Sequence, residues 1–167
     1  MSERLLPQEL YDKAKEVVDA NRKLGRRVAV AESCTGGLVC AALTEIPGSS
    51  DIFEAGYITY SNASKIDDLG VSSEVVETFG AVSVATAWAM ARGALSASNA
   101  DIAVAITGIA GPGGGTPTKP VGTVVFARAE RGADPSQIVA DHQHFDAEGR
   151  AGVRLQAALC ALDLLMP

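Results

Sequence analysis

A chain of 167 residues, 47% of them hydrophobic, can bury one sizeable core and is too short for two ordinary domains, so a single domain over residues 1–167 is expected. A formal net charge of -6 removes any general attraction to nucleic acid or to an anionic membrane surface and leaves only local basic pockets. No apolar run reaches the length of a membrane span, the opening MSERLLPQEL lacks a leader pattern, and Cys34, Cys40 and Cys160 show no metal or redox spacing. The expectation is a cytoplasmic protein with reduced thiols.

Leu6, Leu10, Ala14, Val17 and Val18 recur at helical spacing and predict a first helix, with Pro7 in its first turn and Gly25 stopping it. A strand is predicted at 27–31, then a loop at 32–35 and a short helix at 36–44 that Pro47-Gly48 ends. Residues 53–61, rich in aromatic and β-branched side chains, predict a second strand, with Lys65 in the first turn of a helix after it. Val84, Trp88, Ala91 and Leu95 share one face of a helix that Ser83 can cap. An apolar strand at 101–107 follows, and its composition reads as burial on both faces. A Gly/Pro-rich loop at 108–120 leads to strands at 122–129 and 137–145, and a closing helix runs from about Glu148 to Leu165. The alternation predicts an α/β fold with helices on both faces of a sheet. That sheet is mixed, because the last two strands have room only for a hairpin-like connection.

Ligands in such folds collect where loops leave the carboxyl ends of strands. The loop Glu32-Ser33-Cys34-Thr35-Gly36-Gly37 brings hydroxyls, a thiol and free N–H groups to a helix N-terminus, whose positive dipole end favours an anion or oxyanion. Ser33 or Thr35 as a plain helix cap is the alternative. The run Thr107-Gly108-Ile109-Ala110-Gly111-Pro112-Gly113-Gly114-Gly115 can form a phosphate-sized nest, or for Gly113 to Gly115 a flexible crossover; it is neither a Walker loop nor a full dinucleotide fingerprint. Lys65, placed where a helix disfavours a cation, is either solvated or wanted in a site. Cys34 is a competing nucleophile, and His142 and His144 alternate onto one strand face, where they read as exposed or as two of the ligands of a zinc ion.

AESCTGGLV, PGSSDIFEAGYITYSNASK, TGIAGPGGG and KPVGTVVFA, in this order, resemble the CinA C-terminal domain family, which includes stand-alone nicotinamide-nucleotide amidases. The resemblance covers nearly the whole chain. It implies a three-layer α/β/α sandwich around a mixed sheet, and hydrolysis of nicotinamide mononucleotide to nicotinate mononucleotide and ammonia in pyridine nucleotide recycling, with no metal or organic cofactor. Carried over by residue, it makes Ser33 the nucleophile and Lys65 and Tyr60 its activating partners. Thr35, Gly36, Thr107 and Gly108 become the pocket lining, joined by their loop neighbours Cys34, Gly37, Ser61 and Gly111.

The family often carries a Gly-Asp-Arg element after the last strand and a second arginine on the closing helix. Here the segment reads Phe145-Asp146-Ala147-Glu148-Gly149-Arg150, with altered spacing, so Arg150 is the expected phosphate ligand and Arg154 a weaker one or a surface charge. The implied partners are a small mononucleotide substrate and a second copy in a homodimer or higher homo-oligomer, with neither nucleic acid nor membrane. Because family members also occur fused to a second domain in competence- and damage-associated proteins, a non-catalytic nucleotide-binding or regulatory module is the competing function.

Overall fold

The computed structural model describes residues 4–146 and 149–167. Helix α1 (Gln8–Leu24) buries Leu10, Ala14, Val17 and Val18 and ends where Gly25, at φ 63, donates to the last carbonyls. It is followed by β1 (Val28–Glu32), α2 (Leu38–Thr44), β2 (Phe53–Ile58), α3 (Asn62–Leu69), α4 (Ser73–Phe79), α5 (Val84–Ala97), β3 (Ile102–Gly108), β4 (Thr123–Glu130), β5 (Val139–His144) and α6 (Gly149–Leu164). The expected start of the closing helix at Glu148 lies outside the described residues.

The strands form one mixed sheet in the order β2-β1-β3-β4-β5. β1 runs parallel to β2 and β3, while β4 is antiparallel to both β3 and β5. The period-two alternation of side chains separates the two faces by size. Val28, Val30, Ile102, Val104, Ile106 and Phe126 pack against α1, α2 and α6. Ala29, Ala31, Ala103, Ala105, Ala127 and Ala129 face α3, α4 and α5. An alanine face lets α5 lie close to the sheet, and α5 answers with Ala87, Ala91 and Ala94. On its other side α5 receives the end of α3 at Gly93, where an added Cβ would stand 2.0 Å from the Leu69 carbonyl oxygen.

Two boundaries differ from expectation for physical reasons. The second strand stops at Ile58 rather than 61, because after a last bond from the Thr59 N–H to the Glu32 carbonyl Ser61 leaves the sheet to cap α3 through the Ser64 N–H. Helix α2 starts at Leu38 rather than 36, because Gly36 and Gly37 take φ values of 59 and 101, outside the helical range. The β1–β2 connection passes over one face through α2, and the β2–β3 connection crosses the other through α3 to α5. Such a divergence opens a crevice at the carboxyl end of β1, where Ser33 lies.

Gly93→Ala should lower the unfolding free energy by about 1–3 kcal/mol by forcing α3 away from α5. Urea denaturation would show this as a lower midpoint at unchanged slope.

Candidate active site

Ser33 leaves β1 and Lys65 projects from the first turn of α3, and both are buried, at 7% and 1% exposure. The Lys65 Nζ lies 3.0 Å from the Ser33 Oγ, 2.7 Å from the Thr59 carbonyl oxygen and 3.4 Å from that of Tyr60. No carboxylate forms an ion pair with it among the described residues. Burial therefore holds its pKa below the ordinary 10.5. The donor inventory then fixes the geometry. A neutral amine has two N–H bonds and one lone pair, and carbonyl oxygens can only accept. Were Lys65 neutral, with its two N–H groups on the Thr59 and Tyr60 carbonyls, its lone pair would be left for the Ser33 hydroxyl.

Glu32, which sequence reasoning passed over, organises the next turn. Its carboxylate is fully buried and accepts from the N–H groups of Gly37 and Val39 through Oε1 and of Cys40 through Oε2, at 3.0–3.2 Å. The N-terminus of α2 is thus filled by an anion of the protein itself, and the expectation that its dipole end receives an external anion is corrected accordingly. Burial, reinforced by the Glu32 charge, pushes the Cys34 thiol up to about 11, so the alternative nucleophile is a poorly ionised one. Arg154, on α6, donates from Nε to the Cys34 carbonyl at 3.2 Å and from Nη2 to the Thr35 carbonyl at 3.0 Å.

A cavity of about 270 Å³ opens over this pair. Of the residues singled out in the sequence, Ser33, Cys34, Tyr60, Lys65, Thr107, Gly108, Gly111 and Arg150 line it. Thr35, Gly36, Gly37 and Ser61 do not: Thr35 is fully buried, the Gly37 N–H is held by Glu32, and Ser61 is a cap. Asn62, one turn before Lys65 on the same helix face, lines the cavity and was missed. Tyr60 meets Lys65 through its carbonyl, while its hydroxyl accepts from Arg150 Nη2 at 2.8 Å. The other arm of Arg150 donates to the Gly111 carbonyl at 2.7 Å, and the Thr107 hydroxyl donates to Ala81. A second cavity, of about 250 Å³ beside Trp88 and Arg92, holds no nucleophile next to a base.

His142 and His144 are exposed on β5, three strand spacings or roughly 14 Å from β1 across the sheet. Among the described residues no group of three His, Cys, Asp or Glu side chains is placed to hold a metal ion, and no helix is long and apolar enough to cross a membrane.

Residues 10–167 match the family described as the CinA C-terminal domain. The chain is 48% identical to the nicotinamide-nucleotide amidohydrolase PncC of Pseudomonas putida, over 87% of this chain and 88% of that protein. It is 47% identical to a putative competence-damage inducible protein of Caldicellulosiruptor saccharolyticus, over 89% of this chain but 35% of that one, so it spans about a third of the length of such relatives. The crystal structure of the competence/damage inducible protein CihA from Agrobacterium tumefaciens superposes with a TM-score of 0.92 at 45% identity, covering 99% of this chain and 97% of that one.

A depressed Lys65 pKa makes stability pH-dependent in a definite direction. Between that depressed value and 10.5 the unfolded chain holds a proton on Lys65 that the folded protein has released, so Lys65 makes stability rise with pH across this window. Chemical denaturation at a series of pH values should show the rise in wild-type protein relative to Lys65→Met, in which it is absent.

Proposed function

The chain belongs to the CinA C-terminal domain family, and from that membership and the Ser33–Lys65 pair we propose that it is an amidohydrolase converting nicotinamide mononucleotide to nicotinate mononucleotide and ammonia. The observation that carries the chemistry is the buried Lys65 amine, which pairs with no acid among the described residues and lies 3.0 Å from the Ser33 Oγ beside two carbonyl oxygens. Hydrolysing an amide without a metal requires an activated nucleophile and a stabilised tetrahedral oxyanion. Lys65 takes the Ser33 proton as Oγ attacks the carboxamide carbon, and the oxyanion forms against the N–H group of Cys34. Protonated Lys65 then delivers its proton to the departing nitrogen as the C–N bond breaks and ammonia leaves. Water attacks the acyl-serine, giving its proton to Lys65, and the C–O bond to Ser33 breaks with return of the proton to Oγ.

Binding of the mononucleotide is assigned to the remainder of the cavity. Its 5'-phosphate meets the Gly108–Gly114 backbone and Arg150, and that remote contact positions the carboxamide, which makes free nicotinamide a poor substrate. Tyr60 contributes through its carbonyl, which orients Lys65, and through a phenol that holds Arg150 at the cavity mouth.

Ammonia release from nicotinamide mononucleotide should fall by about a thousandfold or more in Ser33→Ala and in Lys65→Met, with both variants folded. Lys65→Arg should be equally inactive, because a guanidinium stays protonated. Cys34→Ala should remain within about threefold of wild type, given the poorly ionised thiol. Loss of turnover in Cys34→Ala with retention in Ser33→Ala would reverse the roles. Tight mononucleotide binding with no turnover by folded wild-type protein would favour the non-catalytic binding module.

A further inference from the structure

Arg154 is too far inside the fold to be read as a surface charge. It lies one turn after Arg150 on α6, half-buried, and both of its bonds go to the backbone of the nucleophile loop, to the carbonyls of Cys34 and Thr35. Those bonds dictate which way the loop's N–H groups point. In a planar trans peptide the C=O and the following N–H are antiparallel. The Cys34–Thr35 peptide is trans, as is every described peptide bond except Gly111–Pro112. With the Cys34 carbonyl drawn toward Arg154, the Thr35 N–H must point to the opposite side of the loop. The preceding peptide is set by the same logic, since the Ser33 carbonyl accepts from the Gly36 N–H and the Cys34 N–H therefore turns away from it.

The outcome is that the N–H groups of Cys34 and Thr35 meet no oxygen acceptor among the described residues, while the N–H groups on either side are all occupied. Ser33 donates to Ile106, Gly36 to Ser33 and Gly37 to Glu32. Thr35 is fully buried and outside the cavity, so the Cys34 N–H, on a residue that lines it, is the donor left for an oxyanion. Space confirms how closely the guanidinium is fitted, because a Cβ on Gly36 would lie 3.3 Å from Arg154 Nη2.

We propose that Arg154 is a positioning residue for the oxyanion donor: by holding the Thr35 carbonyl it turns the Gly36 N–H onto the Ser33 carbonyl and so fixes the Cys34 N–H toward the reacting centre, and it does not bind the substrate phosphate. The inference rests on the amidase reading. It separates two arginines one helical turn apart, Arg150 acting on the ligand and Arg154 acting through the Ser33 loop.

The test is a comparison of Arg154→Ala, Arg154→Lys and Arg150→Ala, each checked for folding by circular dichroism and thermal melting, with nicotinamide mononucleotide as substrate. Arg154→Ala should lose about a hundredfold or more in kcat with KM within about threefold, matching the loss of oxyanion stabilisation elsewhere. Added guanidinium chloride should recover part of that kcat, with equal sodium chloride having no effect, and Arg154→Lys should fall between the two. Arg150→Ala should instead raise KM. A raised KM at normal kcat in Arg154→Ala, or a lost kcat in folded protein that neither guanidinium nor lysine recovers, would overturn the proposal. The burst of nitrophenolate from p-nitrophenyl acetate, defined by its loss in Ser33→Ala, provides a readout independent of the natural substrate. If wild-type protein releases no ammonia yet shows that burst, the amidase reading fails, and a burst lowered in Arg154→Ala and restored by guanidinium still upholds the role of Arg154. A wild-type Ser33 inert to both compounds removes the oxyanion site and overturns the proposal as well.

Discussion

An amine almost wholly removed from water, with a serine hydroxyl and two carbonyl oxygens as its neighbours, sets the requirements that the surrounding structure meets. Burying an ammonium ion without an acid is costly, and that cost holds the Lys65 pKa below its ordinary value. For that to produce a base rather than an inert amine, the lone pair has to be aimed. The end of β2 supplies the carbonyls that would do so: it breaks off the sheet at Ile58, so the carbonyls of Thr59 and Tyr60 turn toward Lys65 while Ser61 starts α3. The position of α3 depends in turn on α5, which Gly93 and the alanine face of the sheet allow to pack closely.

The loop that carries Ser33 is held by charge of both signs. The Glu32 carboxylate gathers the N–H groups at the start of α2, and the Arg154 guanidinium gathers the carbonyls of Cys34 and Thr35. Each is a charge-assisted bond to backbone, stronger than its neutral counterpart and directional. A short loop restrained in this way keeps its donors in place before a substrate arrives, which is the condition under which such donors lower a barrier.

Much of the fold was legible because the strands alternate large and small apolar residues at period two and the long helices repeat at 3.6. The hairpin-like ending also predicted a mixed sheet correctly, although the antiparallel turn already occurs between β3 and β4. The site was legible only as fragments. Ser33 and Lys65 lie 32 residues apart, and taken alone one reads as a cap and the other as a surface lysine. Family resemblance joined them, and the geometry supplies the contact. Glu32 escaped notice because a glutamate at a strand end looks like the first loop residue, and only the crossing of α2 above it reveals the burial. Tyr60 was assigned through the resemblance alone, and only the end of the strand at Ile58 reveals that its carbonyl is the group that reaches Lys65.

The account turns on Lys65 being neutral where Ser33 needs a base. Titration of its side chain by NMR, following the Lys65 13Cε and 15Nζ shifts with assignment by Lys65→Met, measures this directly. A midpoint well below the ordinary 10.5 is the predicted result. A midpoint at or above 10.5 would leave an ammonium beside Ser33 at neutral pH and contradict the mechanism.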